Sequence, residues 1–171
     1  MAQHQLRIDR VLASDYLAGL DTRSLDESRD MDHECAEIET ELSYVRRLAQ
    51  ARMDILQAEI DRRAAGGSLG DLIAALPKIL SDDSPRADPA TTRFADPLTA
   101  ASDINFKRGL ESLISDDTLA NLPTLTEEDL QATLGQLRTL EAEVSTSRSA
   151  LHAVMGTLAR DLAQRLAVEK A

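Results

Sequence analysis

The sequence predicts an all-α protein: an antiparallel two-helix coiled-coil hairpin with one or two short extra helices and a flexible central linker. Three observations carry this reading. Apolar residues recur at alternating steps of three and four along two stretches of about forty residues each, the spacing of a narrow coiled-coil seam. Some sixty residues lie between those stretches, enough chain for the second helix to return antiparallel to the first. The 171 residues also hold only two Phe, two Tyr and no Trp. A core without large aromatics must come from Leu, Ile, Val, Ala and Met, which suits helix-on-helix packing.

Residues 1–23 are weakly patterned and read as an N-terminal tail or short helix, with a small apolar group at Tyr16, Leu17 and Leu20. Ser24 followed three residues later by Glu27 is a capping box, and it opens the first long helix, assigned to 24–65. The seam runs Met31, Cys35, Ile38, Leu42, Val45, Ala49 and Leu56, with Arg52 in its one polar slot. Gly66-Gly67 supplies the stop. Residues 66–80 hold a short apolar helix that Pro77 is expected to bend or divide.

Residues 81–103, with Pro85, Pro89 and Pro97 among Asp, Ser, Thr and Ala, have the composition of a linker open to disorder. A short amphipathic helix over 104–115 and a break at Asn121-Leu122-Pro123 fill 104–123. Thr126 with Asp129 caps the second long helix, 124–168. Its seam is Leu130, Leu134, Leu137, Leu140, Val144, Ser147, Leu151, Val154, Leu158 and Leu162.

Composition also limits function. A net charge of −11 argues against direct nucleic-acid binding, which draws its affinity from Lys and Arg on phosphates, and favours a basic protein partner. No apolar run approaches a membrane span and the first residues lack a signal-peptide core, so a cytoplasmic protein without a membrane role is expected. Catalysis is not expected. His4, His33 and His152 are scattered without metal-ligand spacing, and Cys35 sits on the seam, where a buried thiol is ordinary. Gly66-Gly67-Ser68-Leu69-Gly70 lacks the Lys-Ser/Thr of a phosphate-binding loop.

One polar stripe stands out. Glu39, Ser43, Arg46, Gln50 and Asp54 are spaced by four, three, four and four, and therefore share one edge of the first helix over about four turns. Arg suits the O6 and N7 acceptors of guanine, and a carboxylate suits its N1–H and N2–H donors. Arg46 on one guanine edge with Asp54 or Glu39 on the other is one reading. A solvated face stitched by i,i+4 pairs is the other, and the stripe alone leaves both open. The stripe has an echo 102 residues later: Glu141, Ser145 and Arg148 repeat Glu39, Ser43 and Arg46. Ser at these places brings no helix propensity, which makes chance agreement less natural.

Glu39-x3-Ser43-x2-Arg46-x3-Gln50-x3-Asp54 resembles, at all five positions, the cyclic di-GMP-binding signature of the RsiG family of actinobacterial anti-sigma factors. The resemblance implies a helical hairpin with one copy of the signature on each long helix. It implies cyclic di-GMP as a regulatory ligand, no metal, and a partner in a WhiG-like sporulation sigma factor, held inactive when ligand is present. The implied ligand-binding residues are Glu39, Ser43, Arg46, Gln50 and Asp54 with Glu141, Ser145, Arg148 and His152. The second copy departs from the signature, with His152 in place of Gln and Gly156 in place of Asp. Gly156 predicts close packing or drift there, and a first helix that forms the dominant half of the site. For the sigma factor, residues 69–80 and the acidic region 15–41 are the expected contacts, with an end cap and an ordinary acidic helix N-terminus as their plain alternatives. The competing function is a structural coiled-coil adaptor, or a homodimeric helical bundle, with no nucleotide ligand.

Overall fold

The computed structural model describes residues 3–81 and 121–169. Four α-helices lie there: α1 (Gln3–Val11), α2 (Leu25–Ala64), α3 (Leu69–Ile79) and α4 (Glu127–Glu169). Short 3-10 turns at Leu20–Thr22 and Leu122–Thr124 precede the two long helices. No strand occurs among the described residues, and no helix there is long and apolar enough to cross a membrane. Apart from Ser81, the predicted linker 81–103 lies outside the described residues, as does the short helix over 104–115.

The long helices begin where their side chains satisfy the first orphan N–H groups. The Ser24 backbone N–H donates to Glu27 Oε2 at 2.7 Å, and the Glu27 N–H donates to Ser24 Oγ at 3.2 Å. Thr126 and Asp129 form the same reciprocal pair at 3.3 and 3.1 Å. A third box, Ser68 with Asp71, opens α3. At the end of α2, Gly66 adopts φ 67°. Its N–H reaches the Arg63 carbonyl while that of Gly67 reaches Arg62 at 2.9 Å, the two-bond Schellman termination that a left-handed residue permits.

Of the two effects expected of Pro77, bending or dividing the apolar helix, division does not occur. Pro77 sits in the last turn of α3, where its missing N–H removes a single bond. The helix closes behind it through Leu80 N–H to Leu76 O and Ser81 N–H to Pro77 O.

Antiparallel pairing of α2 and α4 buries their seams. The described residues fall into two compact units, 3–50 with 135–169 and 51–81 with 121–134. In the first, Met31, Cys35, Ile38, Leu42, Val45 and Ala49 of α2 are buried, as are Leu137, Leu140, Val144, Leu151 and Leu158 of α4. Ser147, Val154 and Leu162 are half-buried. Helix α1 adds Ile8 and Val11 to this core and sets Arg7 and Arg10 against Glu34, Glu37 and Glu41 of α2. Cys35 is fully buried, and burial pushes its thiol up to about 11.

In the second unit the buried face of α2 widens to Ile55, Leu56 and Ile60, and Leu72, Leu122, Leu130 and Leu134 complete the core. Glu59 is fully buried within it. Arg62 grips both of its oxygens at 2.7 Å, and Arg63 Nε donates to Oε1 at 2.6 Å. Arg63 then carries the network onward, donating to the carbonyls of Leu125 and Leu122 at 2.7 and 3.0 Å. Those arginine hydrogen bonds outweigh the cost of burial and hold the Glu59 carboxyl down at about 2. Arg52, the polar seam position, is buried in the same unit.

Candidate ligand-binding site on the paired long helices

The first four positions of each stripe lie one residue past a seam position, so they emerge at the lip of the helix–helix interface instead of on the outer face. On α2, Glu39, Ser43, Arg46 and Gln50 are half-buried. On α4, Glu141, Ser145 and Arg148 are half-buried and His152 is more exposed. All eight lie in the first unit, and the structure brings them together in two reciprocal clusters.

In one cluster, Glu39 Oε1 accepts from Arg148 Nη2 at 2.7 Å and Arg148 Nε at 3.2 Å. The same oxygen accepts from Ser43 Oγ at 2.7 Å and lies 3.4 Å from His152 Nε2. In the other cluster, Glu141 Oε1 accepts from Arg46 Nε at 2.8 Å, Gln50 Nε2 at 3.2 Å and Ser145 Oγ at 3.0 Å. Arg46 Nε also lies 2.9 Å from Ser145 Oγ. Exchanging the two helices maps one cluster onto the other: Glu39 with Glu141, Ser43 with Ser145, Arg46 with Arg148, and Gln50 with His152. The arrangement is pseudo-twofold, and each half is built from both helices.

The electrostatics follow from this. Burial works to raise the Glu39 carboxyl, but hydrogen bonds from Arg148, Ser43 and His152, with the Arg148 charge, outweigh it and hold the group below the usual carboxylate range. The Glu39 carboxylate stays ionised, and the Arg148 guanidinium remains anchored beside it. Arg46 is engaged through Nε alone, so its Nη1 and Nη2 make no hydrogen bond with any described residue. An anion, or the acceptor edge of a base, can meet that outer edge bidentately.

Asp54, the fifth stripe position, stands exposed on α2 and belongs to the second unit. Gly156, its counterpart on α4, is exposed, and a Cβ added there would meet nothing within 4 Å. Close packing therefore does not account for this glycine, and a carboxylate would fit. In both halves a guanidinium from one helix is held by a glutamate from the other. The acidic region 15–41 is likewise less open than its charge implies, with Glu34, Glu37 and Glu41 engaged by the arginines of α1.

What sequence reading missed was the partnering. The spacing put both stripes on helix edges, but only the antiparallel register sets Arg46 beside Glu141 and Arg148 beside Glu39. Among the described residues, no group of three or more His, Cys, Asp or Glu is placed to hold a metal ion.

No curated protein matches the chain. The sequence profile of the RsiG-like family matches residues 14–80, a stretch that takes in α2, α3 and the whole first copy of the stripe. Over residues 14–80 the chain is therefore similar to the RsiG-like family, a likeness that suggests an anti-sigma type of role.

Proposed function

We propose that the protein is a cyclic di-GMP-dependent anti-sigma factor without catalytic activity, which sequesters a WhiG-like sporulation sigma factor when the dinucleotide is bound. The observation that carries this reading is the pseudo-twofold pair of clusters on α2 and α4. A cyclic dinucleotide is itself twofold, with two guanines and two phosphates, and the clusters offer two equivalent guanidiniums at equivalent places. Arg46 and Arg148 would supply bidentate donors to guanine or phosphate, with Gln50, His152, Ser43 and Ser145 as neighbouring polar groups. Asp54 enters from the spacing of the signature and would take the guanine N–H edge. Association would be ligand-assisted: a ligand that tightens sigma-factor binding is itself bound more tightly in the complex.

For the sigma factor, α3 is the favoured surface. Leu69 and Ile73 are exposed on it and Leu80 just past its end, and the helix lies inside the family-matched stretch. Asp15, Asp21 and Asp30, also exposed, would meet a basic surface and speed association.

The competing reading, a structural coiled-coil adaptor, draws on the same clusters, since eight polar groups that satisfy one another across two helices are also a staple. Titration of cyclic di-GMP with and without the sigma factor separates the two. Binding that strengthens in the presence of the partner supports sensing, and no binding in either case rejects it. Arg46→Ala gives the second arm: loss of ligand-dependent association with helicity and melting nearly unchanged is expected, whereas collapse of helicity identifies a staple.

A further inference from the structure

We infer that Glu39 and Glu141 are positioning residues that act in trans. Each holds the arginine of the opposite helix so that the outer edge of its guanidinium is presented to ligand. This rests on the nucleotide-binding reading above and deepens it, because it assigns the two glutamates a place behind the arginines instead of on the guanine.

The geometry is one-sided in both clusters. Every donor to Glu39 converges on Oε1, namely Ser43 Oγ, both engaged nitrogens of Arg148, and His152 Nε2. Every donor to Glu141 likewise converges on its Oε1. An oxygen so filled is a poor acceptor for a further N–H from a base. Among the described residues, the arginines, in contrast, are engaged along one edge only: Arg46 through Nε, and Arg148 through Nε and Nη2. A guanidinium is planar with five donors in a fixed fork, so holding one edge fixes the direction of the other. An arginine not held in this way would lose rotamer freedom on binding, and preorganisation removes that cost.

The consequence is a site whose halves do not belong to single helices. Arg46 depends on α4 for its aim and Arg148 depends on α2. Removing Glu39 should therefore act like removing Arg148, which lies across the interface, and not like removing Arg46 on its own helix.

A double-substitution cycle tests this, with cyclic di-GMP titrated into the full chain together with a WhiG-like sigma factor. Glu39→Ala and Arg148→Ala should each weaken binding by roughly tenfold or more, the scale of a charge-assisted hydrogen bond. The Glu39→Ala/Arg148→Ala chain should lose little beyond either single change. The Glu39→Ala/Arg46→Ala chain should lose the product of the two. Glu39→Gln, which keeps the volume and one acceptor oxygen, should recover part of the Glu39→Ala loss, and it serves as the cycle partner where the alanine variant loses helicity. Binding by the unsubstituted chain with losses that multiply for the Glu39–Arg148 pair overturns the positioning role and leaves the nucleotide reading intact. Failure of the unsubstituted chain to bind the dinucleotide overturns both.

Discussion

Gly156 is the residue where the second copy of the signature is weakest, and the structure separates the cost of that glycine from its function. It lies in the interior of α4 in open surroundings, so nothing in the fold requires the absence of a side chain. Gly156→Ala should raise stability by about 0.5–1 kcal/mol through helix propensity, read from urea unfolding. Gly156→Asp restores the fifth signature position, and under the sensing reading it should tighten cyclic di-GMP binding while Gly156→Ala does not. Equal affinities for the two variants would show that this rung carries no ligand contact. Glu59 is the opposite case, a charge that the fold holds in place. Its carboxyl sits near 2 against an ordinary 4.5, so its contribution is fully present above about pH 4.5 and is lost as pH falls toward 2. The shift corresponds to on the order of 3 kcal/mol, and Glu59→Gln should cost about that much at neutral pH. The same substitution should cost far less near pH 2, where the native carboxyl is itself becoming protonated. A cost that stays constant across that range would mean the arginines stabilise this site without needing the charge.

At the scale of elements, α2 and α4 were legible because each obeys one period and one cap. Met31 to Ala49 and Leu130 to Leu158 mark faces that can only be buried, and Ser24–Glu27 and Thr126–Asp129 fix where the helices begin. Helix α1 was only half legible, since residues 1–23 read as either a tail or a short helix. Its apolar content is thin, and what docks it is Arg7 and Arg10 meeting Glu34, Glu37 and Glu41 more than twenty residues away, a pairing that no local pattern encodes. The candidate site divides along the same line. Residue types and spacing were readable within each helix, while the crossing of Arg46 to Glu141 and Arg148 to Glu39 depends on a register that only packing sets. Because α1 is held partly by exposed ion pairs, its attachment should depend on salt. Such pairs contribute only about 0.2–1 kcal/mol each and are screened over roughly 3 Å at 1 M salt. Hydrogen exchange of the α1 amides should therefore accelerate at high ionic strength while that of Ile38 to Val45 does not change. Val11→Ala should loosen α1 more than Arg7→Ala, since Val11 is fully buried and Arg7 is about one-third exposed.

For the whole molecule, under the sensing reading, the composite nature of the clusters couples ligand to fold. A site whose every half needs a glutamate from one long helix and an arginine from the other exists only while α2 and α4 are paired. The unfolded chain still carries Glu39, Ser43, Arg46, Gln50 and Asp54 in sequence, but it has no means of setting Arg46 beside Glu141. Ligand should therefore bind the folded hairpin and not the unfolded chain, and linkage then requires that it stabilise the fold. With cyclic di-GMP at one hundred times its dissociation constant, the gain is about 2.7 kcal/mol, which in a chain of this length raises the melting temperature by roughly 5–11 °C. Thermal unfolding monitored by circular dichroism across a dinucleotide titration measures it. The shift should grow with the logarithm of ligand concentration and vanish in Arg46→Ala. A chain that binds the dinucleotide with no rise in melting temperature would instead carry its site on a single helix, and the pseudo-twofold clusters would then be a staple between α2 and α4 and not the place where ligand is read.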